Sequence, residues 1–272
     1  MLTPSSRLDL IASEVAATIG SRRQIPPFTA RPEGLTIDEA YRVTSLVNRQ
    51  REAAGDVAVG RKIGFTNRTL WQRYNVHAPI WGYMYESTVH ELRASRSCRV
   101  EGFVQPLIEP EIVFGLARVP ELGMSEEALL SCIGWIAHGF EIVQSIYRDW
   151  KFSAADTVAA NGLHGALFIG ERHQIEAKSV EWQRMLADFR ITLFCDGQPV
   201  ASGHSSDVLG GPVSALRHLV RLLAQDSTNH PLRANEIVTT GTLTDAMRLR
   251  PNQTWSTSLS GLELSGIDLH FD

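Results

Sequence analysis

The sequence predicts an α+β protein: a mixed β-roll or distorted β-barrel with a helical N-terminal region. Two segments near the start carry helical periodicity, residues 8–19 and 36–52. From about residue 80 the texture changes to a succession of short β-branched and aromatic runs. Helical patterns interrupt that succession at only two places, 125–137 and 212–224. Many strands with few helices point to a barrel or roll.

Each element has its own justification. Residues 8–19 form an amphipathic helix, with Ser5 or Ser6 as its cap. A Pro-rich connector, "RQIPPFTARPEG", leads to the second helix, whose opening "TIDEAYRV" places Asp38 and Glu39 in the first turn, where they suit the helix dipole. "VAVGRKIGFT" reads as a strand, followed by a short helix around 70–74. Strands are expected near 80–85, 105–116, 139–145, 165–169, 189–195, 236–240, 254–259 and 264–271. "CDGQPV" is a hairpin turn of the Asp-Gly kind, and "PVSALRHLVRLLA" starts a helix with Pro in its first turn. Residues 1–75 are expected to form a helical cap region and 76–272 the β-roll domain, the two making one structural unit.

Composition excludes several classes of function. The chain has 272 residues, 43% hydrophobic and 21% charged, which suits a globular protein with a sizeable core. A formal net charge of −4, with no Lys/Arg run interleaved with aromatics, argues against nucleic-acid binding. No apolar stretch approaches the ~18 residues that span a bilayer, and the N-terminus lacks the basic-then-apolar order of a secretory signal. Cys98, Cys132 and Cys195 are widely spaced, without a CxxC, and read as reduced thiols in a cytoplasmic protein.

Chemistry concentrates in "IEPEIVF", residues 108–114. A strand places residues i and i+2 on one face, so Glu109 and Glu111 point the same way inside an apolar run. Burying two carboxylates side by side is costly. No lysine or arginine lies between Gln105 and Ala117, so the compensating charge comes from elsewhere, most economically a divalent cation. Oxygen-only ligation favours Mg²⁺, Mn²⁺ or Ca²⁺ over zinc. "HGFEIVQS" supplies a third acid, Glu141, in a second apolar strand. Gln105, four before Glu109, shares the face of the acids by strand parity and is a candidate for touching substrate or a metal-bound water.

In this order, "GRKIGFT", "EPEIVF", "FEIVQS…RDWKFSAADTVAAN", "VLGGP" and "GTLT" resemble the fumarylacetoacetate hydrolase superfamily. The similarity is greatest to its branch of 2-keto-4-pentenoate hydratases and 4-oxalocrotonate decarboxylases, and runs from about residue 36 to the C-terminus. The resemblance implies the β-roll of that family and a Mg²⁺ or Mn²⁺ ion held by Glu109, Glu111 and Glu141. It further implies that Lys62 stands beside the substrate, stabilising enolate charge or moving a proton. The loop Thr240, Gly241 and Thr242 is expected near the substrate carboxylate, with Asn161 as a further substrate-binding candidate. A homo-oligomer, and association with a partner enzyme of the same pathway, follow by the same resemblance.

Two departures qualify the expectation. Ile80, in "APIWG", stands where hydratases of this branch carry an aspartate in a "PDYG"-like segment. His164, in "ANGLHG", enters where small hydroxyl residues are usual, and is a candidate acid–base group. Trp81 beside Ile80 is a candidate for reshaping the pocket. His138, three before Glu141, should face away from the acids, whereas His204 either lines the pocket or caps a turn. Asp156 is expected to bond to backbone, and Arg61 to be a structural ion-pair partner. The first 75 residues contain no histidine, which argues against the early His–Glu pair used by related hydrolases. The leading expectation is hydration of a 2-hydroxy-2,4-dienoate, with decarboxylation of a 4-oxalocrotonate-type acid as alternative. A C–C hydrolase, or a catalytically silent paralogue that binds a 2-oxo acid, is the remaining choice.

Overall fold

The structure, a computed structural model, describes residues 4–74, 76–94, 97–175 and 179–272. Helices α1 (Pro4–Thr18) and α2 (Ile37–Ala53) open the chain. The strands are β1 (Ala58–Gly64), β2 (Ile80–Tyr85), β3 (Val89–Glu91), β4 (Ser97–Cys98), β5 (Leu107–Leu116), β6 (Ile133–Val143) and β7 (His164–Ile169). They continue with β8 (His173–Gln174), β9 (Arg190–Cys195), β10 (Gln198–His204), β11 (Ile237–Thr239), β12 (Met247–Arg248), β13 (Gln253–Ser260) and β14 (Asp268–Phe271). Helices α3 (Trp71–Tyr74), α4 (Glu126–Leu130), α5 (Ala154–Ala159), α6 (Ser179–Ala187) and α7 (Pro212–Gln225) lie between them.

Local chemistry explains the helix ends. Thr36 and Glu39 form a reciprocal capping box at the start of α2. Pro212 opens α7, where its missing N–H costs nothing. The helix expected over 125–137 ends at Leu130, because the buried Ile133–Val143 run that follows pairs with β5 along its whole length. Helix α6 and strand β10 were not among the expected elements.

A nine-stranded sheet runs in the order β2-β1-β11-β5-β6-β7-β3, with β12 added to β5 and β8 to β6. A second sheet runs β10-β9-β13-β14-β4. Both are mixed: β1–β11, β3–β7 and β14–β4 are parallel, the other pairs antiparallel. Strand β1 therefore carries the chain from the N-terminal helices into the large sheet, between its edge strand β2 and β11.

Alternation along β5 and β6 sorts the side chains. Even-numbered residues enter the main cores. Ile108, Phe140 and Ile142 pack with Leu193, Trp255 and Phe271 of the second sheet, while Ile112, Phe114 and Ile136 pack with Leu216, Leu219 and Leu223 of α7. The odd-numbered residues face the other way, and the acids lie among them. The N-terminal helices build a separate cluster with α5 around Phe28, Val43, Val47, Tyr147 and Val158.

Candidate active site

Strands β5 and β6 pair with Glu109 directly opposite Glu141 and Glu111 opposite Gly139. One oxygen from each of Glu109, Glu111 and Glu141 lies within 4.8 Å of the others. Glu111 and Glu141 are fully buried, whereas Glu109 keeps some exposure at a pocket wall. Gly139 lets the strands pack closely here: a Cβ there would come within 3.0 Å of Val113 and 2.9 Å of the Phe168 carbonyl oxygen.

The three acids differ in electrostatics. Burial pushes Glu109 up to about 7, against the pull of Lys62. Glu111 is driven well above the usual carboxylate range by burial and by repulsion from Glu141 and Glu109. Burial also acts to raise Glu141, but the Lys62 ammonium and the His164 hydrogen bond outweigh it and hold the group low. Among the described residues Glu111 Oε1 is buried without a hydrogen-bond partner. Glu141 Oε2 lies 3.2 Å from Lys62 Nζ as an ion pair, but accepts no well-directed hydrogen bond. Orphaned carboxylate oxygens in a cluster of three acids whose ligand atoms lie within 4.8 Å of one another fit a hard divalent cation.

Lys62 comes from β1 and is buried, with Nζ donating to the Gly162 carbonyl at 3.1 Å. Burial would lower its pKa, yet Glu141, Glu109 and Glu111 together raise it, so the side chain is an ammonium. Arg61 alternates away and pairs with Glu236 at 3.4 Å, as expected.

The carbonyl on Lys62 belongs to a left-handed turn, Asn161 (φ 56°), Gly162 (φ 63°) and Leu163 (φ 64°). Asn161 holds that turn against β2: its amide accepts from Tyr83 N at 2.7 Å and donates to Tyr83 O at 2.8 Å. The substrate contact expected of Asn161 is thus replaced by a backbone clamp that uses both ends of its amide.

The 240–242 loop is divided in its tasks. Thr240 is buried and donates its hydroxyl to Ile112 O at 3.0 Å. Gly241 N donates to Glu111 Oε2 at 2.6 Å, so the anion gripped by this backbone is a carboxylate of the cluster itself. Only glycine fits there, with φ +92° and a Cβ that would fall 1.8 Å from Thr66 Oγ1. Gly241 and Thr242 line the pocket.

Gln105 departs from expectation for a clear reason. Its φ of 48° takes it off the strand, which begins at Leu107, so strand parity does not extend to it. Its amide oxygen accepts from Asp149 N at 3.1 Å and Gln24 Nε2 at 3.2 Å, outside the pocket lining.

His164 lies behind Glu141. Its Nδ1 is 2.8 Å from Glu141 Oε1 and its Nε2 is 2.9 Å from Thr88 Oγ1. His138 faces away, as parity required, bonding Glu111 O and Thr257 Oγ1, both at 2.9 Å. His204 takes the capping role, with Nδ1 accepting from Ser206 N at 3.2 Å. Asp156 accepts from Thr29 N and Ser153 N.

The pocket beside Glu109 and Lys62 is otherwise largely apolar, walled by Ile80, Leu107, Val143, Trp150, Phe152 and Leu163. Ile80 thus occupies the place where an acid was expected. Trp81 does not reshape this pocket: alternation turns it into the core, stacked on Tyr41 at 5.3 Å. Leu107 and Val143 escaped the sequence reading, although each is two residues from an acid and shares its face. Thr88 and the Gly162 carbonyl gave no signal at all. A wider groove of about 690 Å³, lined by Arg93, Glu171 and Asp268 among others, contains none of the three carboxylates.

Residues 71–264 match the family model described as "Fumarylacetoacetate (FAA) hydrolase C-terminal". The chain belongs to that family. Among curated relatives, 2-hydroxyhexa-2,4-dienoate hydratase of Comamonas testosteroni is 34% identical over 224 residues, covering 82% of each chain. A 4-oxalocrotonate decarboxylase of Pseudomonas sp is 29% identical, covering 90% of this chain and 91% of its own. In fold, the chain is similar to 4-oxalocrotonate decarboxylase from Pseudomonas putida G7, solved with magnesium and adipate: TM-score 0.89, 22% identity, 100% of this chain and 99% of that one. The FAA hydrolase fold with its N-terminal helices is therefore the one the sequence predicted.

Proposed function

We propose that this chain is a divalent-metal-dependent hydratase of a small 2-hydroxy-2,4-dienoate. The observation that carries the reading is the three-glutamate cluster, of which Glu109 lines a largely apolar pocket together with the Lys62 ammonium. The relatives named as hydratases and decarboxylases support the reaction class. Glu109, Glu111 and Glu141 would hold Mg²⁺ or Mn²⁺, which when bound supplies Lewis-acid polarisation of the substrate's 2-oxo group.

In the reaction, ketonisation of the dienol adds a proton at C5 and leaves the C3=C4 bond conjugated to the C2 carbonyl. Water then adds, oxygen to C4 and proton to C3, giving a 4-hydroxy-2-oxo acid. Lys62 is the ammonium available to stabilise negative charge as it develops on the substrate. Ile80, Leu107, Val143 and Leu163 offer the hydrocarbon tail an apolar wall and exclude bulk water.

The same wall favours hydration over decarboxylation of an oxalocrotonate. Among the described lining residues Lys62 is the cation, and it is already paired with Glu141, so a second substrate carboxylate would be buried without a partner. Decarboxylation stays the alternative because Ile80 cannot carry the proton that an aspartate would. The three unpaired cysteines suit the reducing cytoplasm, and among the described residues no helix is long and apolar enough to cross a membrane.

The test is to incubate metal-stripped protein with 2-hydroxypenta-2,4-dienoate or 4-oxalocrotonate, with and without Mg²⁺ or Mn²⁺. Metal-dependent loss of the dienoate chromophore with formation of the 4-hydroxy-2-oxo acid is expected. CO₂ release from oxalocrotonate alone would reassign the chain as the decarboxylase, and no turnover of either would favour a silent binder.

A further inference from the structure

We propose that His164 is a positioning residue that, together with Thr88, fixes the Glu141 carboxylate for cation binding. The inference rests on the reading of Glu109, Glu111 and Glu141 as the ligands, and it goes beyond that reading by naming what holds one of them in place.

The argument starts from which atoms can donate. Glu141 Oε1 is a carboxylate oxygen and accepts, so the His164 nitrogen 2.8 Å away must carry a hydrogen. That puts a proton on Nδ1. The other ring nitrogen, Nε2, lies 2.9 Å from Thr88 Oγ1, which holds the far side of the imidazole. Thr88 is itself anchored, since its Oγ1 accepts from Tyr85 N at 3.2 Å and donates to Tyr85 O at 3.0 Å. Glu141 is therefore tied through an imidazole and a hydroxyl to the backbone at the end of β2.

The consequence lies in which oxygen is occupied. His164 takes Oε1, leaving Oε2 beside Lys62 and free of any directed hydrogen bond. Without His164, rotation about the last carbon–carbon bond could bring either oxygen to either position, and Lys62 could draw the carboxylate away from Glu109 and Glu111. His164 itself is 5% exposed and absent from the pocket lining. From there it acts on substrate only through Glu141. Outer partners of this kind change metal affinity by ~10–100-fold when removed.

The experiment measures Mn²⁺ binding by titration calorimetry to the metal-stripped full chain and its variants, each checked for folding by thermal melting. His164→Ala should weaken Mn²⁺ binding by roughly 10–100-fold. His164→Asn should restore most of it, because the asparagine amide N–H reaches the position of Nδ1. Thr88→Val, which leaves the imidazole and the pocket lining in place, should weaken binding several-fold, and Thr88→Ser should not. Thr88→Val also keeps the proposal testable if His164→Ala fails to fold. Parent-like Mn²⁺ affinity in folded His164→Ala or Thr88→Val, or an Asn variant as weak as the Ala variant, overturns the proposal while leaving the metal site intact. A parent chain that takes up no Mn²⁺ overturns the site reading and this proposal with it.

Discussion

Glu111 shows most plainly the conflict between stability and function at this site. It is fully buried, repelled by two neighbouring carboxylates, and one of its oxygens has no hydrogen-bond partner among the described residues. Replacing it with glutamine removes the repulsion and keeps an oxygen for Gly241 N. Glu111→Gln should therefore raise metal-free stability by about 1–2 kcal/mol, while abolishing metal-dependent turnover. Urea unfolding with EDTA, set beside Mn²⁺ titration of the same sample, checks both signs. A variant that loses stability without metal would mean that Glu111 is compensated by a group other than a cation.

At the scale of elements, two contacts fix the surroundings of the site. Asn161 serves as a one-residue strand against β2, satisfying both Tyr83 N and Tyr83 O. Asn161→Ala leaves these groups unpaired and puts a Cβ residue at φ 56° without a local hydrogen bond. A loss of roughly 2–4 kcal/mol is expected. Asn161→Gly should recover about 1 kcal/mol of it, since only the backbone term is relieved. Equal losses in both variants would exclude the left-handed turn as a source of strain.

Helix α1 is held to the loop at Arg31 by Glu14, whose two oxygens each accept from the guanidinium at 2.8 Å. That bidentate hydrogen bond keeps the Glu14 carboxyl below its usual value. Because the folded pKa is depressed, the contribution is complete above the ordinary carboxylate range and disappears as pH falls through the folded value. The melting-temperature gap between parent and Glu14→Gln should be small at neutral pH, worth about 1 kcal/mol at most for an exposed pair, and should close below about pH 4. A gap that widens in acid would reverse the assigned sign.

For the whole molecule, the cost of gathering three acids is met by the sheet. Strand β5 pairs with β6 along its whole length, β11 brings the Gly241 loop, and β1 brings Lys62. A bound divalent ion should reinforce that arrangement globally. At about 100 times its dissociation constant, Mn²⁺ should add ~2.7 kcal/mol, which for a chain of this size raises the melting temperature by roughly 5–10 °C. EDTA should reverse the shift, and Glu111→Gln should show none. An unshifted melting curve in the parent at saturating Mn²⁺ would remove the ion from the folded state.

Sequence alone settled the features governed by local periodicity and chemistry. Alternation put Glu109 and Glu111 on one face and sent His138 and Arg61 to the other, while Asp38, Glu39 and Pro212 marked the starts of α2 and α7. The similarity of its ordered motifs pointed to the FAA hydrolase fold. Tertiary structure alone decided whatever depends on partners distant in the chain. It placed Glu141 opposite Glu109, set Gly241 N on Glu111 across 130 residues, and put Thr88 behind His164 across 76. It also overruled parity at Gln105, because one left-handed residue ends the alternation on which the inference depended. Asn161 and Thr240 were spent on backbone groups for a similar reason: a buried polar side chain bonds to whatever unsatisfied group the fold brings beside it, and spacing along the chain does not say which group that is.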